Sequence, residues 1–323
     1  ADEKSIGNQR ILHTEQYDLD NFREWDLNNA ASASEYIGKN RNRPFFLSFG
    51  MVNTHRPYPE IDADINPDFL QSPFPIADTP ENREDMAAYI SSVKTVDECV
   101  GTILRAVEEA DIRDETLIIF TTDHGIAFPR MKCNLYDAGI GVSLIIDYPE
   151  NRLRGKVSDA LVSHLDIFPT ICDLLAVDKP DWLQGFSLLP LCRGEVNEVR
   201  EKVFSEVTFH ATYEPMRCIR TKRYKYIQVF NGFDGYVHFG GDGGVADKFV
   251  KKHGGYDLKR DEEMLFDLYL DPVERVNLVG DTAYKSVYEK MKLELESWMK
   301  ETADPLLHGD ITPPPGARLG KPE

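Results

Sequence analysis

Three short apolar runs constrain this chain more than any other feature. They are Phe45–Val52, Thr116–Thr122 and Val142–Ile146. Each is nearly continuous in apolar residues and too short for a buried helix. That is the pattern of a strand covered on both faces, as in a parallel sheet. Between the first two runs, Met86, Tyr89, Ile90, Val93, Val96, Val100, Ile103, Leu104 and Val107 recur at helical spacing. They form one apolar stripe of about six turns and predict a long amphipathic helix. Further helices are predicted over 21–37 and over 164–176, the second with Pro169 near its start, where the missing N–H costs little. Strands separated by helices imply an α/β fold with a mainly parallel sheet flanked by helices.

The pattern changes around Cys192-Arg193-Gly194. Val203–Val207, Met216–Arg220, Tyr224–Phe230 and Met264–Leu270 are short strand-like segments, the first three close together as in an antiparallel meander. Residues 231–263 hold many glycines and charges and read as an inserted loop. Tyr284–Lys300 reads as an amphipathic helix, and the tail Thr312-Pro313-Pro314-Pro315-Gly316 as extended. The predicted boundary lies near residue 197. It divides an α/β domain, 1–197, from a small C-terminal α+β domain, 198–323, carrying the antiparallel sheet.

Composition removes several classes of function. Hydrophobic residues make up 41% of the 323, which is incompatible with a disordered chain. With 37 basic against 55 acidic residues, the net charge of −18 argues against nucleic-acid binding, which needs basic surface. No apolar run reaches the roughly 18 residues of a membrane span. Cys99, Cys133, Cys172, Cys192 and Cys218 contain no C-x-x-C pair, which excludes a zinc ribbon or a thioredoxin-type motif. Their odd number leaves at least one thiol unpaired within the chain.

Polar groups at or beyond the ends of the predicted strands are candidates for chemistry, because ligands of open α/β sheets bind there. His55 follows the first run. Asp123-His124-Gly125 follows the second, and Lys132 comes soon after. Asp123 beside His124 is a candidate metal-ligand pair: the carboxylate suits a hard cation, while the imidazole favours zinc or another transition metal. Lys132 and His55 are suited to bind an anion or to pass a proton to a leaving oxygen. Each also has an ordinary reading: a capping Asp in a turn, a loop histidine, a solvated lysine. The densest basic stretch, Arg217, Arg220, Lys222, Arg223 and Lys225, reads equally as an anion subsite or as solvated charge on an edge strand.

Taken in order, Thr116–Gly125, Lys132 and Tyr136–Ile145 resemble the sulfatase family of the alkaline-phosphatase superfamily. So do Pro44–Pro57, the helix with Val96-Asp97 and Val100-Gly101, His164–Thr170, and Leu265–Leu268 followed by Asp271-Pro272 and Asn277-Leu278. Glu206–His210, Pro215-Met216-Arg217, Gly125–Pro129 and Trp298–Pro305 resemble the heparan N-sulfatase branch. The resemblance implies an alkaline-phosphatase-like fold, incomplete at its N-terminal side. It implies that Asp123 and His124 bind a divalent cation, Ca²⁺ first, with Mg²⁺, Mn²⁺ or Zn²⁺ as alternatives. Many sulfatases carry Asn at the position of His124. His55 would hold the sulfate and protonate the leaving atom, Lys132 would contact the sulfate, and His210 and Arg217 would face the substrate. The implied substrate is a sulfated carbohydrate, and the implied location is periplasmic, extracellular or lysosomal, although no export signal is evident.

One expected feature is not found. Sulfatases carry a formylglycine made from the Cys or Ser of a C/S-x-P/A-x-R motif, together with adjacent aspartates. No cysteine here begins that motif, and no two aspartates are adjacent. The resemblance therefore implies a companion N-terminal segment or chain that supplies the nucleophile and the remaining ligands. Two alternatives follow: a phosphodiesterase or phosphonate monoester hydrolase of the same superfamily, suggested by His124, or an inactive glycan-binding remnant.

Overall fold

The computed structural model describes residues 21–149, 155–210, 212–230, 235–236 and 242–317. They divide into two compact units, 1–116 and 117–323, so the boundary expected near 197 falls inside the second unit.

The first unit is built on two helices. Helix α1, Phe22–Asn40, begins where the Asn21 side chain accepts from the Glu24 N–H. Helix α2, Pro80–Glu109, is the predicted stripe. It begins with a Thr79 cap and Pro80 in the first turn, where a missing N–H is harmless. The two helices pack on each other. The run Phe45–Val52, predicted as a strand, is extended but has no strand pairing among the described residues. Its side chains alternate in exposure, and Phe46 is 83% exposed. Strand status depends on a hydrogen-bonded neighbour, which an apolar run does not specify.

The second unit holds all the sheet structure among the described residues. Strands β1, Ile118–Thr121, and β2, Leu144–Asp147, fall where strands were predicted. They pair antiparallel, however, with Ile118 opposite Asp147 and Thr121 opposite Leu144. The antiparallel meander is present as β3 (Lys202–Phe209), β4 (Tyr213–Thr221), β5 (Tyr224–Val229) and β6 (Glu263–Asp267), in that order. Every strand pair among the described residues is thus antiparallel, and the mainly parallel sheet expected from the apolar runs is not seen in them. Four short helices, α3 (Asp137–Ile140), α4 (Ile167–Leu175), α5 (Leu189–Cys192) and α6 (Val245–Lys252), lie between strands. The last occupies the stretch read as loop. Helix α7, Lys285–Glu301, closes the unit as predicted.

The meander is buried on both faces, and strand alternation decides which residue meets which cover. Met216, Cys218, Ile227, Val229, Met264 and Phe266 pack on Leu135 and Tyr136, next to α3. Ile219, Tyr226 and Leu265 pack on Met291, Leu295 and Met299 of α7. The sheet is therefore covered by the segment after Lys132 on one side and by α7 on the other. All five cysteines are unbonded thiols. No helix among the described residues is long and apolar enough to cross a membrane.

Candidate functional site

Asp123 and His124 stand directly after the β1 ladder, which Thr122 extends by donating its N–H to Ser143 O at 3.3 Å. The chain then turns sharply. The Gly125 N–H donates to Gly139 O at 2.8 Å, and a Cβ on Gly125 would stand 1.8 Å from Ala138 O. Only glycine permits that approach. The Lys132 N–H donates to Ile126 O at 3.2 Å, closing a short loop directly after the Asp-His pair, and the Thr122–Ser143 pairing encloses the pair and the lysine together.

The His124 ring has a defined tautomer. Its Nδ1 lies 2.6 Å from Gly125 O, and a carbonyl only accepts, so Nδ1 carries the hydrogen. In the neutral ring Nε2 is then the bare nitrogen, 3.4 Å from Asp123 Oδ2. Two donors about 2.1–2.4 Å from one ion, at roughly a right angle, stand a little over 3 Å apart. The pair therefore fits as part of a coordination shell. It is not a whole one: among the described residues no three His, Cys, Asp or Glu side chains converge as a metal cluster. A hard cation takes about six or more donors, so these residues alone do not fit a divalent cation.

Lys132 is buried, and its Nζ donates to Asp242 Oδ2 at 2.7 Å. His210, exposed just past β3, is drawn into the same group. Its pKa lies below the ordinary histidine value, through desolvation first and then through the positive charge of Lys132, which Asp242 opposes and His124 reinforces. His124, Lys132 and Asp242 thus all act on His210, and the Lys132 charge is offset by Asp242. Arg130, two residues before Lys132, lies over the rings of Tyr136 at 5.1 Å and Tyr236 at 4.8 Å. Arg260, ion-paired with Glu214, lies over the Tyr236 ring as well. Cys133 is no nucleophile here. Burial pushes its thiol up to about 12, Lys132 only partly opposing, so it stays protonated at neutral pH.

His55 belongs to the first unit. There the buried Asp26 carboxylate of α1 accepts from the N–H groups of Val52 and Asn53, and Ser92 of α2 donates to Asn53. Arg56 grips Asp85 of α2 with two hydrogen bonds of 2.7 Å. The loop is fastened on both sides of His55, whose ring is exposed. Its Nδ1 donates to Arg56 O at 2.6 Å, so Nε2 is the atom able to take or deliver a proton.

Arg217 departs from expectation. Strand alternation turns it to the α7 side of the meander, away from Leu135 and Tyr136, and it is 1% exposed. Its guanidinium is committed to Asp304 at 2.5 and 3.1 Å and to Val207 O at 3.0 Å. It ties β4 to the segment after α7 rather than facing a ligand. The basic stretch is likewise neither subsite nor solvated edge at Lys225, which is fully buried. Asp242, Arg130 and Tyr236 carry no sequence signal of a site. Asp242 is 110 residues from its partner, in a glycine-rich stretch.

The sulfatase family matches residues 7–177, more than half of the chain. The chain belongs to the sulfatase family. A second match, to the family described as N-sulphoglucosamine sulphohydrolase, C-terminal, covers residues 124–240 of this sulfatase chain and so contains His124, Lys132 and His210. The chain is 32% identical to human N-sulphoglucosamine sulphohydrolase over 259 residues, covering 72% of this chain and 51% of that protein. Among solved structures it is similar to a 2-O GAG sulfatase, with a TM-score of 0.63 at 20% identity, covering 97% of this chain and 71% of the other. It is also similar to the phosphonate monoester hydrolase of Agrobacterium radiobacter, with a TM-score of 0.53 at 25% identity, covering 69% and 43%. These likenesses give this sulfatase chain an alkaline-phosphatase-like α/β fold. The chain spans about half the length of the curated relatives it matches.

Proposed function

We propose that this chain is the C-terminal portion of a sulfuric ester or sulfamate hydrolase acting on a sulfated carbohydrate. The observation that carries the reading is the buried Lys132, held by Asp242 and placed a few residues after the Asp123-His124 turn, with His124, Lys132 and His210 all inside the segment that matches the family described as N-sulphoglucosamine sulphohydrolase, C-terminal. A buried lysine beside a turn bearing a carboxylate and an imidazole is suited to a tetrahedral oxyanion. Lys132 offsets charge on the sulfuryl group. Asp123 and His124 contribute to a divalent-cation site, for Ca²⁺ first, whose other donors come from outside the described residues. A formylglycine nucleophile comes from polypeptide outside these 323 residues, since no cysteine here begins its motif. His55 is the general acid, working through Nε2. The glycan substrate places the protein outside the cytoplasm.

The test is turnover of a sulfated monosaccharide and of an aryl sulfate by the protein carrying its complete polypeptide. His55→Ala lowers turnover by about two orders of magnitude, the usual contribution of general-acid catalysis. Near-normal turnover in that variant removes His55 from the mechanism, and absence of sulfate release by the parent protein sinks the whole reading. A second reading, hydrolysis of phosphonate or phosphodiester substrates, is favoured by His124 and by the likeness to the phosphonate monoester hydrolase. Faster release from an aryl phosphonate than from an aryl sulfate decides for it.

A further inference from the structure

The Asp-His pair is useful only if its turn is held still, and a buried ionic cluster is built where it can do that. Lys225 of β5 is wholly buried on the meander face that meets Leu135 and Tyr136. Its ammonium donates to Leu135 O at 3.0 Å and contacts Asp137 Oδ1 at 2.5 Å and Glu274 Oε1 at 2.8 Å. Arg220 of β4, on the same face, clasps the Asp137 carboxylate at 2.9 and 3.1 Å. Glu274 accepts from the Asp137 N–H at 2.6 Å. Two cations and one carboxylate thus meet on Asp137, which is gripped through its side chain and its backbone together. With Lys225 and Glu274 buried and Arg220 and Asp137 half-buried, such a cluster adds little net stability over packed hydrocarbon. What it adds is a fixed position.

The path from Asp137 to the site is short and made of backbone. Asp137 is followed by Ala138 and Gly139. These are the residues against which Gly125 packs, by the 2.8 Å hydrogen bond to Gly139 O and by the contact with Ala138 that admits no Cβ. Gly139 is itself wedged against Met131 and Asn134, where a Cβ would stand 2.2 and 2.4 Å from their carbonyl oxygens. Met131 precedes Lys132, and Gly125 follows His124. We infer that Asp137 is a positioning residue. Anchored by Lys225, Arg220 and Glu274, it sets the places of His124 and Lys132 through the packed backbone of Ala138, Gly139 and Gly125. The inference deepens the functional reading above, because it concerns the same two side chains.

The test uses the protein with its complete polypeptide, labelled with ¹⁵N at glycine and histidine, and the conservative variant Asp137→Asn. The variant keeps the shape and removes the charge that Lys225 and Arg220 hold. The expected result is displaced amide resonances for His124 and Gly125, with those of Gly280 and His308 unmoved. Turnover of an aryl sulfate falls with them by about tenfold or more, the usual cost of loosening a supporting shell. A purely structural role would lower the melting temperature and leave the His124 and Gly125 resonances of the folded protein in place, which overturns the inference. If Asp137→Asn does not fold, Arg220→Lys weakens one arm only and decides the matter by the same resonances, with a smaller displacement expected. Displaced resonances in a protein that hydrolyses no sulfate uphold the positioning role while the functional reading fails.

Discussion

An imidazole reports the charges around it, and His210 stands where it reports on three. Its depressed pKa comes from desolvation and from Lys132, with His124 adding to the effect and Asp242 working against it. A neighbouring cation makes protonation harder, and a neighbouring anion makes it easier. Lys132→Met therefore raises the His210 midpoint toward the ordinary value near 6.5, and Asp242→Asn lowers it further. An NMR titration of the ring in the three proteins checks both signs. Equal midpoints in all three separate His210 from the Lys132 pair. At this scale the sequence was legible where chemistry and chain order coincide. Asp123, His124 and Lys132 are close in sequence and lie on one closed loop. Asp242 was not legible, because its pairing with Lys132 is a product of tertiary folding. Arg217, expected to face the substrate, and Lys225, read equally as part of a subsite or as solvated edge charge, also owe their places to tertiary pairing. Strand position alone does not reveal their counterions, the buried Asp304 for one and the half-buried Asp137 with the buried Glu274 for the other.

At the scale of elements, α2 and α7 were legible because an apolar stripe at helical spacing has one cheap solution, burial of one face. The antiparallel meander was legible too, in position and pairing, but the partners of the apolar runs before it were not. A short apolar run states that both faces are covered and leaves open whether its neighbour runs parallel or antiparallel. The β1–β2 pair took the antiparallel choice, and Phe45–Val52 has no strand partner among the described residues. The turn after β1 is the element with the least tolerance. A methyl group on Gly125 would meet Ala138 O at 1.8 Å, and the obstacle is backbone rather than a movable side-chain tip. Gly125→Ala therefore forces β1 and α3 apart. Overpacking of this kind costs roughly 1–3 kcal/mol and sometimes more. Denaturant unfolding is expected to show a lower midpoint, with lost occupancy of the site in the protein that still folds. A midpoint equal to the parent's means the turn opens freely, and the tight path from Asp137 to His124 is then absent.

The charge of the whole chain acts at a range that no single residue reaches. A net charge of −18 repels a sulfated polyanion before any contact is made. Lys132, a buried cation of the candidate site, acts only at close quarters, beside Asp242. Salt separates these two effects by distance. The screening length is about 30 Å at 10 mM ionic strength and about 8 Å at 150 mM. Raising salt over that interval removes most of the long-range repulsion, while a buried lysine in contact with its ligand is screened far less. Association of a sulfated oligosaccharide is therefore expected to quicken as salt rises from 10 to 150 mM. That is opposite to the behaviour of proteins that gather polyanions with a basic surface. Stopped-flow or surface-plasmon measurements of the association rate provide the check, with Lys132→Gln losing binding at both ionic strengths. A rate that falls with salt means that a concentrated basic field outweighs the acidic surface. The anion is then recognised by a patch of cations rather than by one buried lysine held on a fixed turn.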